Sequence, residues 1–398
     1  MRMKDDLEAG AVQLEEKRLS HVLLIYREMI PSIRLCGHCQ MEYLAKLQKA
    51  EYRSVQEMRL KSSDLNWADV VLLGRLDNWY EYQLSKKLHE SGKYVVYIID
   101  DDLLNIPLGI SSAAYYGRRE IQGYIRKMIE MSDAIMSPSP LLLEKYAING
   151  RRGIQIEEPA ISPASYRIHE PNQPMKIGFA GSVDRTGDIE LVLRDALFRI
   201  KSEFAERVQF EFFGAIPSFA EALNARSIPY CASYDVYRES LNNLAWDIGI
   251  APMPDTTFHA CKHYNKFVEY AAAGIVGVFS DVQPYTRLKS AGRPGKYCPN
   301  EAEAWYTTIK ELIEDDNQRE HLRCECVRVA REEFDVSQLT IPIQDALEGI
   351  GRCGDKSVSE GWLLLTKMAG VVARSFLKIK QYGVRFPIAV YKKLVTSK

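Results

Sequence analysis

Residues 259–280 read HACKHYNKFVEYAAAGIVGVFS, and this stretch decides the fold class. Its end, Val276–Phe279, is a short apolar run of the kind that forms a strand buried on both faces. Its middle, Asn265–Ala273, reads as a helix, and Ala271–Ala273 with Gly274 allow that helix to pack close to a sheet. Another apolar run, Ile248–Ala251, precedes it. Strand, helix and strand in this order imply a parallel sheet of an α/β domain.

The same alternation extends in both directions. Toward the C-terminus come two helical segments, Glu301–Asp315 and Asn317–Glu333. Toward the N-terminus, strands at Lys176–Phe179 and Val208–Phe213 alternate with helices at Asp188–Ser202 and Val236–Asn243. Four prolines (159, 163, 171, 174) then interrupt the pattern and read as a linker. Before them the pattern repeats. Strands are expected at His21–Tyr26, Val70–Leu73, Tyr94–Ile99 and Ala134–Met136, with helices near Cys39–Lys49, Trp79–Ser91, Arg118–Met131 and Pro140–Tyr146. The expected architecture is therefore α/β, with two Rossmann-like parallel-sheet domains facing a central cleft. Its parts are an N-terminal extension (1–17), a first domain (18–158), a linker (159–174), a second domain (175–350) and a basic amphipathic tail (351–398).

Bulk properties fit this reading. With 398 residues, 46% hydrophobic and 26% charged, the chain can bury two ordinary cores. A formal net charge of −1 gives no global pull toward nucleic acid, and none is expected as a partner. The charge is unevenly spread: residues 355–398 hold nine Lys/Arg against two acids, so the tail suits an anionic surface. Eight scattered cysteines fit a reducing compartment rather than a disulfide scaffold. Residues 1–17 have no apolar core of a signal peptide, and no long uninterrupted apolar run is present, so a cytoplasmic location is expected, with the tail peripheral at a membrane.

Three motifs carry candidate chemistry. In Gly178-Phe-Ala-Gly181-Ser182, a strand runs into a small-residue turn and then a helix near Asp188, with Arg185 between them. Small residues let backbone N–H groups approach a phosphate, and a helix N-terminus favours negative charge; the same pattern also suits a plain tight turn. In Lys262-His-Tyr-Asn265-Lys266-Phe-Val-Glu269, two cations and a carboxylate share one face if the helix begins early. That set suits a nucleoside diphosphate, the cations meeting phosphates and the carboxylate the ribose hydroxyls, or it forms ordinary intrahelical ion pairs. Asp100-Asp101-Asp102 ends a strand and offers either a metal site or one cleft-facing carboxylate with helix-capping neighbours.

Taken together, Lys176–Gly181 (KIGFAG), Trp246–Pro252 (WDIGIAP), Lys262–Glu269, Ala273–Ile275 and Ser280–Tyr285 (SDVQPY) resemble the C-terminal domain of GT-B glycosyltransferases. The resemblance is to the retaining "glycosyl transferases group 1" family of bacterial surface-polysaccharide synthesis. It covers about 174–350, and more weakly 18–150. It implies a nucleotide-sugar donor as co-substrate, no cofactor and no metal, and a glycan or lipid-linked acceptor. By that resemblance Glu269 holds the donor ribose, and Lys262 and Lys266 lie in the donor-phosphate loop with Arg185 as a second phosphate ligand. Gly181, Ser182 and Asn265 complete the donor side. Asp100, Asp101 and Lys266 are the catalytic candidates, and Arg75 and Asp102 the acceptor-side ones. The family's additional Glu, eight residues before the ribose Glu, is here Cys261, and the Arg of its Gly-Arg pair is here Ser182.

Two rival readings come from other features. Cys36-Gly37-His38-Cys39, between a strand and a helix, has the spacing of a thiol–disulfide oxidoreductase motif. A non-catalytic GT-B-like binding protein would keep the fold without the transfer. For the tail, Trp362–Ile379 is mostly apolar and leads into interleaved Lys/Arg and aromatic residues. It reads either as a membrane-surface anchor or as a helix packed back across the first domain.

Overall fold

In the computed structural model, which describes residues 19–163, 166, 173–350 and 357–382, each apolar run named above becomes a strand in one of two parallel sheets. The expected N-terminal extension (1–17), part of the linker (164–165, 167–172) and parts of the tail (351–356, 383–398) lie outside the described residues.

The first sheet contains β1 (Leu19–Tyr26), β2 (Ala50–Gln56), β3 (Val70–Gly74), β4 (Tyr94–Ile98), β5 (Ala134–Ser137) and β6 (Arg152–Gln155), in the order β2-β1-β3-β4-β5-β6. Alternation along its strands builds a core on each face. Leu23, Ile25, Val71, Leu73, Val95 and Tyr97 pack to one side. Val22, Leu24, Val70, Leu72, Val96 and Ile98 pack to the other. Such strands show no polar alternation because neither face meets water.

The second sheet contains β7 (Met175–Gly181), β8 (Val208–Gly214), β9 (Arg226–Ile228), β10 (Ile248–Ala251), β11 (Val276–Ser280) and β12 (Lys296–Cys298), in the order β12-β11-β10-β7-β8-β9. The chain winds outward from β7 to β9, then returns beside β7 as β10. This is the doubly wound order, and its switch point lies between β7 and β10, where ligands of open α/β sheets bind.

The structure changes the reading at several places. The edge strands β2, β6, β9 and β12 are additions to the sequence reading. The Cys36–Cys39 motif is not a loop but part of a continuous helical run, Pro31–Lys46, kinked at Cys36 and Gly37, where Gly37 adopts φ +116°. Residues 341–347, expected to belong with the second domain, instead pack on the first: Ile343, Ala346 and Leu347 are buried beside Val22 and Leu24. The apolar tail forms a helix, Glu360–Tyr382, lying on the first half. It is held there by Arg374 Nη1 at 2.7 Å from the buried Glu57 carboxylate, and by Lys367 Nζ donating to the Leu60 carbonyl at 2.5 Å. Among the described residues, no helix is long and apolar enough to cross a membrane.

Candidate functional site

The two halves face each other across a cavity of about 260 Å³, lined by Ser32, Asp100 and Asp101 from the first half and by Gly181, Ser182, Arg185, Lys262, Asn265, Lys266 and Glu269 from the second. Every contributing loop leaves the carboxyl end of a strand or opens a helix. Gly181 ends β7, Asp100 and Asp101 follow β4, and Asn265 begins the Asn265–Ala272 helix. That helix is fixed by Tyr270, fully buried, whose hydroxyl donates to the Ile250 carbonyl at 3.1 Å.

Lys266 and Glu269 lie one turn apart on this helix and form an ion pair. Tyr237 completes the group. Its hydroxyl donates to Glu269 Oε2 at 2.8 Å and accepts from Lys266 Nζ at 3.2 Å. Both neighbours engage Oε2, and Glu269 lines the cavity. The Asn265–Ala272 helix has no side-chain cap at its N-terminus, which leaves its positive dipole end toward the cavity.

Lys262 does not share that helical face, contrary to the expectation. The helix starts at Asn265, and Lys262 lies in the preceding loop, reaching across the cleft to Asp101 Oδ1 at 2.7 Å. Burial opposes charge on Asp101, but Lys262 and Arg75 together hold its carboxyl below the usual range. Asp100 pairs instead with Arg75, whose Nη1 is 2.8 Å away, and burial together with the neighbouring Asp101 raises its pKa. Arg75, expected on the acceptor side, is thus committed to Asp100, and also donates to Ser32 Oγ at 3.3 Å.

Asp102, also expected on the acceptor side, is a correction. It is buried away from the cavity and accepts from Tyr146 and Lys145, each at 2.5 Å, and from Asn105. Nor does the triplet cap a helix, because the chain beyond it runs in turns until Ala113. The peptide order that points Asp101 into the cleft turns Asp102 toward the Pro140–Tyr146 helix. Among the described residues no cluster of three potential ligands is placed to hold a metal ion.

Arg185 spans the switch point. Its Nη2 donates to the Pro252 carbonyl beyond β10 at 2.6 Å, and its Nε pairs with Asp188. Ser182, beside it, is exposed in the cavity wall. Cys261 is buried within the apolar core of the first half, and burial pushes its thiol pKa up.

Several site residues had no signal in the sequence. Tyr237 becomes a partner of Glu269 only when the Tyr234–Leu244 helix is laid beside the Asn265–Ala272 helix. Glu157 and Glu158, just before the linker, clasp His263: Glu157 Oε2 is 3.0 Å from Nε2, and Glu158 Oε2 is 3.6 Å from Nδ1. Burial disfavours the imidazolium, yet the two carboxylates raise His263 to about 9. The thiols of Cys36 and Cys39 go the opposite way to a redox pair: burial raises both. Cys36 donates to Glu158 Oε1 at 3.6 Å, so it is a buried structural group.

No protein-family profile matches the sequence, and no curated protein matches it. Solved structures share its fold. An alpha-glucosyltransferase in complex with UDP and a 13-mer DNA superposes with a TM-score of 0.56 at 14% identity, over 83% of this chain and 99% of that one. An Anabaena protein, HepE, in complex with UDP and glucose gives a TM-score of 0.55 at 12% identity, over 82% of this chain and 99% of that one. A Listeria monocytogenes protein assigned as a UDP-N-acetylglucosamine 2-epimerase gives 0.52 at 12% identity, over 85% and 99%. Two doubly wound sheets facing one cleft, in this arrangement, are the GT-B fold.

Proposed function

We propose that this GT-B chain is a glycosyltransferase that moves a hexose from a nucleoside-diphosphate sugar to a glycan or lipid-linked acceptor, with retention and without a metal. The observation that carries the reading is the Glu269–Lys266–Tyr237 group at an uncapped helix N-terminus, opposite Asp101 across the cleft. In this reading Glu269 Oε1 accepts the ribose hydroxyls. Lys266, Lys262, Arg185 and the backbone at Gly181 and Ser182 meet the diphosphate, with Asn265 at the helix start. The nucleotide sugar is a co-substrate, and no further cofactor is invoked.

The cleft contact suggests the order of events. Lys262 neutralises Asp101 when no diphosphate is bound. A bound diphosphate competes for that lysine and leaves the Asp101 carboxylate to accept a hydrogen bond from the acceptor hydroxyl. The bond from the anomeric carbon to the diphosphate oxygen then breaks. Its electron pair passes to the diphosphate, where the cations stabilise it. The acceptor oxygen bonds to the anomeric carbon and its proton passes to the departing diphosphate oxygen, which lies on the same face when configuration is retained. Asp100 positions Arg75 and, through it, the loop that carries Asp101.

Nearly neutral charge does not exclude a nucleic-acid acceptor, since a neighbour of the same fold is bound to DNA. The basic tail supports the lipid-linked alternative. The test is titration with UDP-, GDP- and TDP-sugars, followed by assay of transfer with and without chelator. At least one donor should raise the melting temperature. Glu269→Ala and Lys266→Ala should each weaken its binding about 10- to 100-fold, the loss of one charge-assisted contact. The reading is overturned if no donor binds, if transfer is insensitive to both substitutions, or if the sugar is epimerised rather than transferred.

A further inference from the structure

The Glu360–Tyr382 helix is apolar on two sides, and on the inward one Leu363 is fully buried and Trp362 packs against the same core. Two cations are tied down on the protein side as well: Arg374 pairs with buried Glu57, and Lys367 donates to the Leu60 carbonyl. Gly370 lies so close to Tyr80 that an added Cβ would come within 2.5 Å of that side chain. The outward face is apolar. Leu364, Leu365, Met368, Val371 and Val372, spaced as one helical stripe, are 48–70% exposed. They are five of the fifteen large hydrophobic residues exposed among those described, so this is a patch and not scatter.

We infer that this outward face docks on an anionic lipid bilayer. Charge selects the occupant. From residue 376 to 398 the sequence holds six Lys/Arg and no Asp or Glu, with Phe376, Tyr382, Phe386 and Tyr391 among them. An apolar stripe running into a basic, aromatic-rich segment matches the interfacial region of a membrane with negative headgroups. A second copy carries the same positive charge in this segment and so offers it no complementary one there. Packing on the first half and docking on a bilayer are therefore not alternatives: buried Leu363 and the ion pair to Glu57 hold the helix with its apolar stripe outward. The inference stands apart from the donor reading, because vesicle binding needs no turnover.

The test is co-sedimentation of the full chain with phosphatidylcholine vesicles, and with vesicles containing about one-third phosphatidylglycerol. The wild type should bind the anionic vesicles at least tenfold more tightly, and raising the salt should weaken that binding. The variant carrying Leu365→Glu, Met368→Glu and Val372→Glu should lose it, with its melting temperature and any donor-induced shift unchanged. Unaltered binding by the variant, or no binding by the wild type, overturns the inference. So does a wild-type dimer that the triple variant abolishes, which would make a second copy the cover. Tighter vesicle binding after removal of residues 383–398 also overturns it, by making the chain's own end the cover.

Discussion

Glu269 shows how two neighbours fix one side chain in the cavity wall. It is held on Oε2 by a lysine and a tyrosine, so its orientation is set before anything binds. His263 is the pH-sensitive counterpart. Its folded pKa, near 9, stands above the ordinary 6.5, so the imidazolium between Glu157 and Glu158 stabilises the fold most fully below about pH 6.5. That stability is lost as pH rises through about 9, and amounts to roughly 3 kcal/mol. The stability difference between wild type and His263→Gln, followed by urea unfolding, should therefore be largest near pH 6 and shrink toward pH 10. A difference that stays flat over this range would exclude the clasp as the source.

At the scale of elements, the strands divide by position in the sheet. All eight interior strands are legible as apolar runs, VVLL at 70–73 being the plainest, because both faces are buried. The four edge strands were not legible. β2 reads AEYRSVQ and β9 reads RSI, since an edge strand has a half-solvated surface and takes polar residues there. The ends of β7 and β8 bear directly on the candidate site. Gly214 adopts φ +84°, and a Cβ on it would sit 2.2 Å from the Gly181 carbonyl oxygen. Gly214→Ala should cost about 2 kcal/mol or more and displace the Gly181–Ser182 turn. Urea unfolding and nucleotide titration should both report the loss; a fully stable variant with intact binding would show that the turn is not held by this contact.

At the scale of the whole molecule, three hydrogen-bonded contacts among the described residues cross the cleft away from the linker: Lys262 to Asp101 at 2.7 Å, Arg34 to Asp235 at 2.8 Å, and Ser111 to Asp184 at 2.9–3.0 Å. The first is the most enclosed and lies in the site itself. Asp101→Asn should open the unliganded protein, seen in solution scattering as a larger radius of gyration at low salt, close to that of the wild type at high salt. An unchanged radius would mean that the linker clasp alone sets the separation of the halves. The sequence by itself determined two parallel-sheet halves, their interior strands, and Glu269 and Lys266 on one helical turn, because burial on both faces and helical spacing are local patterns. Only the tertiary structure decided that Lys262 meets Asp101, that Asp102 turns into the core, that Tyr237 braces Glu269, and that the last helix shows its apolar side to the outside. Each of these depends on which distant surface lies opposite, and no spacing along one chain encodes that.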